Sequence, residues 1–239
     1  MKTNSDNFEI VFFGTDDLFQ ARRPEEIVAT FMQNPLFRPT HYGTGDDDMI
    51  EASSSNANSL SMFWKENGFL QLARKDKVLS YEVMVENVVP AEGRFQPAFS
   101  LLGITIKVSP QVGWNRHPEN LRQFVMELAS AYRPCYGCCR QINGARILWN
   151  LKKNGIPDIF WLNFFGPPYI EAIGMDKFNS VPCANCEIQN WGGVLVETKD
   201  PSLEQSHLLK KHLGRRLFVG GGGLFRGVSI PHFNFPTGR

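Results

Sequence analysis

Several absences narrow what this chain can do. No stretch of it approaches the roughly 18 uninterrupted apolar residues of a membrane-crossing helix, and the opening Met1-Lys2-Thr3-Asn4-Ser5-Asp6-Asn7 has no apolar signal-peptide core. A soluble cytoplasmic protein without a membrane partner is therefore expected. An excess of either charge is also missing. The formal net charge is +1, whereas general nucleic-acid binding needs a clear basic surplus, so no direct nucleic-acid contact is expected. Neither Gly-x-Ser-x-Gly nor His-Glu-x-x-His occurs. The glycine run 220–223 lacks the lysine and hydroxyl of a phosphate-binding loop. No catalytic residue is assigned, and a non-enzymatic protein is expected.

What is present is material for a large core: 42% of the 239 residues are hydrophobic, with 19 Phe and 5 Trp. The stretch from Pro157 to Gly174 organises the rest. Ile159 to Phe165 is apolar on both alternating faces, broken only by Asn163, which predicts a central strand covered on both sides. Gly166 and Pro167 end it, Pro167 or Pro168 opens a short helix, and Gly174 supplies its stop.

Glu9 to Phe13 reads as a short strand, and Pro24 to Met32 as a helix with Glu25 and Glu26 in its first turn. From Asn34 to Ser61 regularity fails, and a flexible polar loop is expected at about 40–60. Val78 to Val85 and Ala98 to Val108 alternate as strands and are expected to pair antiparallel around turn chemistry at Pro90 to Arg94. Pro118 to Tyr132 is the clearest helix, with Leu121, Phe124, Val125, Leu128, Ala129 and Tyr132 on one face. Ile142 to Leu151 reads as a further candidate strand, and Gly193 to Glu197 as another. Asp200-Pro201 opens a helix that stops at Gly214. Strands and helices mix without strict βαβ alternation, so the expected fold is a single α+β domain over residues 1–239, with helices packed on a largely antiparallel sheet. A loop-like tail is expected at about 217–239.

Two patterns could carry chemistry. The five cysteines are clustered, unlike the framework of a secreted disulfide scaffold. Cys135-x-x-Cys138 and Cys183-x-x-Cys186 could supply four thiolates to a structural zinc ion, although 44 residues intervene, or could stay free thiols. Redox chemistry through one pair is a third reading. The second pattern is Asp46-Asp47-Asp48 in its polar loop. Three consecutive aspartates point in different directions and suit a cation poorly, so a solvated loop or an acidic partner-binding surface is the reading. Residues 1–60 carry ten acidic side chains against four basic ones. Lys210 to Arg216 is a basic run that closes a helix, where cations complement the dipole. His207 and His212 are five apart and are expected at the surface.

The run Phe160-Trp161-Leu162-Asn163-Phe164-Phe165-Gly166-Pro167-Pro168-Tyr169-Ile170-Glu171-Ala172-Ile173-Gly174, then Ser180-Val181-Pro182, Gly192 to Glu197 and Asp200-Pro201, resembles bacterial immunity proteins of polymorphic toxin systems, in particular the immunity protein 52 family. Arg133-Pro134, Tyr136-Gly137 and Pro35-Leu36-Phe37 are similar too. The likeness is clearest over residues 120–201, and the four paired cysteines fall outside its pattern. It implies an α+β protein that binds and neutralises a cognate secreted or injected toxin, for instance a nuclease, with Asp46, Asp47 and Asp48 as candidate contact residues. The alternative is a zinc-stabilised enzyme or regulatory module organised by Cys135, Cys138, Cys183 and Cys186.

Overall fold

A computed structural model describes residues 6–14, 23–75, 79–88, 99–108, 118–142, 156, 158–198 and 203–218. Its contacts group into two compact units, one ending at Arg133 and the other starting at Pro134. The architecture is α+β, and every strand pair described below is antiparallel. No helix among the described residues is long and apolar enough to cross a membrane.

The first unit contains β1 (Asp6–Gly14), β2 (His41–Gly43), β3 (Ile50–Glu51), β4 (Phe69–Lys75), β5 (Leu79–Val88) and β6 (Phe99–Val108). They lie in the order β3-β2-β4-β5-β6-β1. Register aligns Leu72, Val83, Ile104 and Ile10 in one row and Leu70, Val85, Leu102 and Phe12 in another on the same face. All eight are buried, and each contributes roughly 1.5–3 kcal/mol of burial. Three helices cover this face: α1 (Arg23–Gln33), α2 (Ala57–Asn67) and α3 (Pro118–Tyr132). The predicted apolar face of α3 is buried throughout. Phe124 stacks on Phe37 with ring centroids 3.8 Å apart and meets Phe31 edge-on at 5.3 Å, and Tyr132 meets Phe12 at 5.6 Å. The Arg23 guanidinium donates to Tyr132 O at 3.1 Å.

The stretch expected as a loop at about 40–60 is instead built. It holds β2, a 3-10 turn at Asp46–Asp48, β3 and the start of α2. A reciprocal cap launches α2. Asn56 Oδ1 accepts from Ser59 N and Ser59 Oγ accepts from Asn56 N, both at 3.0 Å. Lys65 of α2 then pairs with Glu25 of α1.

The second unit contains β7 (Tyr136–Gln141), β8 (Leu162–Phe165), β9 (Asn185–Ile188) and β10 (Val194–Glu197), in the order β7-β8-β10-β9. As expected, β8 is flanked on both sides, and its four residues are buried. The strand starts at Leu162 rather than Ile159 because Asn163 folds the approaching chain. Its Oδ1 accepts from Phe160 N at 2.9 Å, while its Nδ2 donates to Phe160 O at 2.7 Å and to Val196 O at 3.2 Å. The polar interruption in an apolar strand is thus fully used.

Gly166 follows, and a Cβ there would lie 2.4 Å from Pro134 O and 2.8 Å from Cys135 Cα, so only glycine lets these chains approach. Helices α4 (Pro167–Ile173) and α5 (Met175–Asn179) follow, separated by Gly174 at φ 93°. Tyr169 and Phe178 pack on Phe165 at 6.2 and 5.3 Å. The later helix, α6, spans Leu203–Leu213 and stops at Gly214 as read from the sequence. Ile142 lies just past β7. Residues 143–151, the turn at Pro90 to Arg94, the Asp200 cap and the tail beyond Phe218 fall outside the described residues.

Candidate functional site

The three aspartates sit on a hairpin at the end of the first unit's strand order. β2 and β3 pair as His41 with Glu51 and Tyr42 with Ile50, and the chain between them tightens into the 3-10 turn, with Asp48 N donating to Gly45 O at 3.2 Å. Gly43 is needed there because a Cβ would lie 2.6 Å from Asp48 O. The hairpin's base is fixed by Thr40 N to Ala73 O and Ala52 N to Thr40 O, both 2.9 Å. Asp47, Asp48 and Glu51 are exposed, and Ile50 beside them is 48% exposed. Ile50 is thus an exposed apolar side chain among acidic neighbours.

Next to this hairpin a concavity of about 360 Å³ is lined by Pro35, Arg38, Pro39, Glu51, Ser53 and Arg74 among others. Arg74 Nη1 is engaged, donating to Pro35 O and Leu36 O at 2.8 Å. These bonds and the Tyr81 hydroxyl on Phe37 O fix the chain that leads into β2. Burial pushes the Tyr81 phenol well above its ordinary range, so it stays a donor. Sequence reading found the aspartates from their charge. It did not find Ile50, Arg38 or the concavity, because these meet only once β2, β3 and β4 pair.

The four paired cysteines do not meet. Cys138 and Cys139 lie on β7 opposite Asn163 and Leu162, and Cys186 lies on β9 opposite Val196. Two strands separate β7 from β9, an interval of about 14 Å at ordinary strand spacing. Among the described residues no group of three or more His, Cys, Asp or Glu side chains is placed to hold a metal ion. Cys135, Cys138 and Cys139 are buried, and burial raises the Cys139 thiol far above its ordinary range. Cys183 is half-buried and Cys186 exposed.

The basic run at the end of α6 does structural work. Asp158 Oδ1 accepts from Lys210 Nζ at 2.7 Å, Ser206 Oγ at 2.6 Å and Ile159 N at 2.7 Å. Burial alone would raise this carboxyl, but the bonds from Lys210, Ser206 and Ile159 and the lysine's charge outweigh it and hold it below the usual range. His212 Nε2 lies 2.8 Å from Lys177 O, which docks α6 on α5. His207 is exposed.

No family model matches the chain, and no curated protein matches it. Among solved structures it is similar to "Pseudomonas aeruginosa T6SS protein PA0821", with a TM-score of 0.59 at 12% identity, covering 87% of this chain and 73% of that one. At that identity the likeness shows a shared fold.

Proposed function

We propose that this chain is a non-enzymatic immunity protein that binds a cognate secreted or injected bacterial toxin in the producer's cytoplasm and neutralises it. The reading is carried by the shared fold with a protein of a type VI secretion system over 87% of the chain. It is supported by the resemblance of residues 120–201 to immunity proteins, in particular the immunity protein 52 family. The contact surface is the β2–β3 hairpin, where Asp46, Asp47 and Asp48 stand on a hydrogen-bonded base rather than in a slack loop. Its acidic rim suits a basic toxin domain, such as that of a nuclease: the charges speed encounter, and the exposed Ile50 supplies apolar contact area.

Co-expression with the product of the adjacent gene tests this. Growth should be rescued and the two proteins should purify together. A harmless neighbour, or a toxic one that neither binds nor is neutralised, refutes the assignment.

A further inference from the structure

Cys183 and Cys186 are three residues apart at the start of β9, where regular strand geometry would put their side chains on opposite faces. The structure avoids this. The chain bends at Cys183 and Ala184 before the strand proper begins at Asn185, while Ala184 N stays in register by donating to Glu197 O at 2.9 Å. The bend turns the Cys183 side chain toward the peptide that leads into Cys186. Each thiol is held by the backbone: Cys183 Sγ donates to Asn185 O at 3.0 Å, and Cys186 Sγ to Phe178 O at 3.4 Å. Cys186 is the more exposed residue of the pair, and Cys183 is half-buried. Cys135, Cys138 and Cys139 are buried.

We propose that Cys183 and Cys186 form a reversible disulfide by exchange with a low-molecular-weight disulfide such as oxidised glutathione. The thiolate of Cys186 attacks one sulfur of oxidised glutathione, breaking its S–S bond and releasing one glutathione thiolate, which takes up the proton Cys186 gave up. The Cys183 thiolate then attacks the Cys186 sulfur of the mixed disulfide, closing the intramolecular bond and expelling the second glutathione, which takes the other proton. Two protein thiols are oxidised and one glutathione disulfide is reduced to two thiols. The oxidised chain has the entrance to β9 stapled across its bend, and Cys186 no longer donates to Phe178 at the end of α5. The device is independent of any toxin partner.

The test uses the full-length chain, reduced and then equilibrated with glutathione mixtures of increasing oxidised fraction. Thiols are trapped by alkylation and located by peptide mass spectrometry. The expected product is lighter by two hydrogens, with Cys183 and Cys186 joined and Cys135, Cys138 and Cys139 alkylated only after denaturation. Cys183→Ser should stop at a persistent glutathione adduct on Cys186, and Cys186→Ser should take up little glutathione. A wild-type chain that keeps both thiols in the most oxidising mixture, or that halts at the mixed disulfide, overturns the proposal. The wild-type readout stands whether or not a variant folds.

Discussion

Asn163 is fully buried in the middle of β8, and replacing it measures how far the second unit depends on one amide. Asn163→Ala strips the acceptor from Phe160 N and removes the donors to Phe160 O and Val196 O. Phe160 O keeps the Thr198 hydroxyl at 3.0 Å, which softens the loss there. An orphaned buried N–H costs about 1–3 kcal/mol and each of the other bonds about 0.5–1.5, so the expected destabilisation is about 3–5 kcal/mol. Asn163→Leu separates this polar cost from the cavity cost, because it restores volume without the bonds. Asn163→Asp adds a sign that can be checked. It keeps the acceptor for Phe160 N but sets a second oxygen against two carbonyls in a buried site, so its folded pKa rises above the unfolded value of about 3.9. A group with a raised folded pKa weakens the fold once the unfolded state ionises. The deficit relative to Asn should therefore be smallest below about pH 4, grow as pH rises, and level off above the folded pKa. Urea titrations followed by tryptophan fluorescence from pH 4 to 8 read all three variants. An alanine cost below about 1 kcal/mol, or an aspartate deficit that does not change with pH, would refute the reasoning.

Three further outcomes follow from the same geometry. Gly166→Ala forces a methyl into Pro134 O and Cys135 Cα, both backbone atoms with little room to yield, and should cost about 2–3 kcal/mol in denaturant midpoints; a neutral change would mean the two chains are not in contact. The lowered Asp158 carboxyl contributes stability that is present above its unfolded pKa and is lost as pH falls through the folded one. Lys210→Met should remove part of it, about 0.5–1.5 kcal/mol at pH 7 given the partial exposure of the pair, and should flatten the acid limb of the stability profile; an unchanged profile contradicts the assignment. Burial, the adjacent Cys183 sulfur and the Glu187 carboxylate push the Cys186 thiol up to about 11. Its iodoacetamide alkylation should therefore rise about tenfold per pH unit between pH 7 and 10, and a flat profile would show that the environment is wrong.

How much of this was legible beforehand depends on how each element earns its burial. Helix α3 declared itself because six apolar residues repeat at helical spacing, and β8 did because its run is apolar on both faces. β9 escaped notice because Asn185-Cys186-Glu187-Ile188 is half-exposed in alternation and borrows its order from β10. Helix α2 buries only Leu60, Ser61 and Trp64, and its strongest signal is the cap at Asn56 and Ser59, which looks like loop chemistry when read alone. β4 was missed although its Leu70 and Leu72 are core residues. β7 takes its order from pairing with β8, which lies far along the chain and leaves no local pattern in Tyr136 to Gln141. The same separation applies to chemistry. Spacing suggested that two CxxC pairs could share a metal, but strand order sets β7 and β9 apart, while a local bend turns Cys183 toward Cys186.

The central claim is that the β2–β3 hairpin presents a surface for another protein. Its most direct test is a stopped-flow and calorimetric titration of the purified chain with the product of the adjacent gene, alongside a variant carrying Asp46→Asn, Asp47→Asn and Asp48→Asn. The account predicts a one-to-one complex that silences the toxin, with an association rate that falls with added salt and drops by about tenfold in the variant. Absence of a complex, or a complex whose association ignores both salt and the three substitutions, would contradict it.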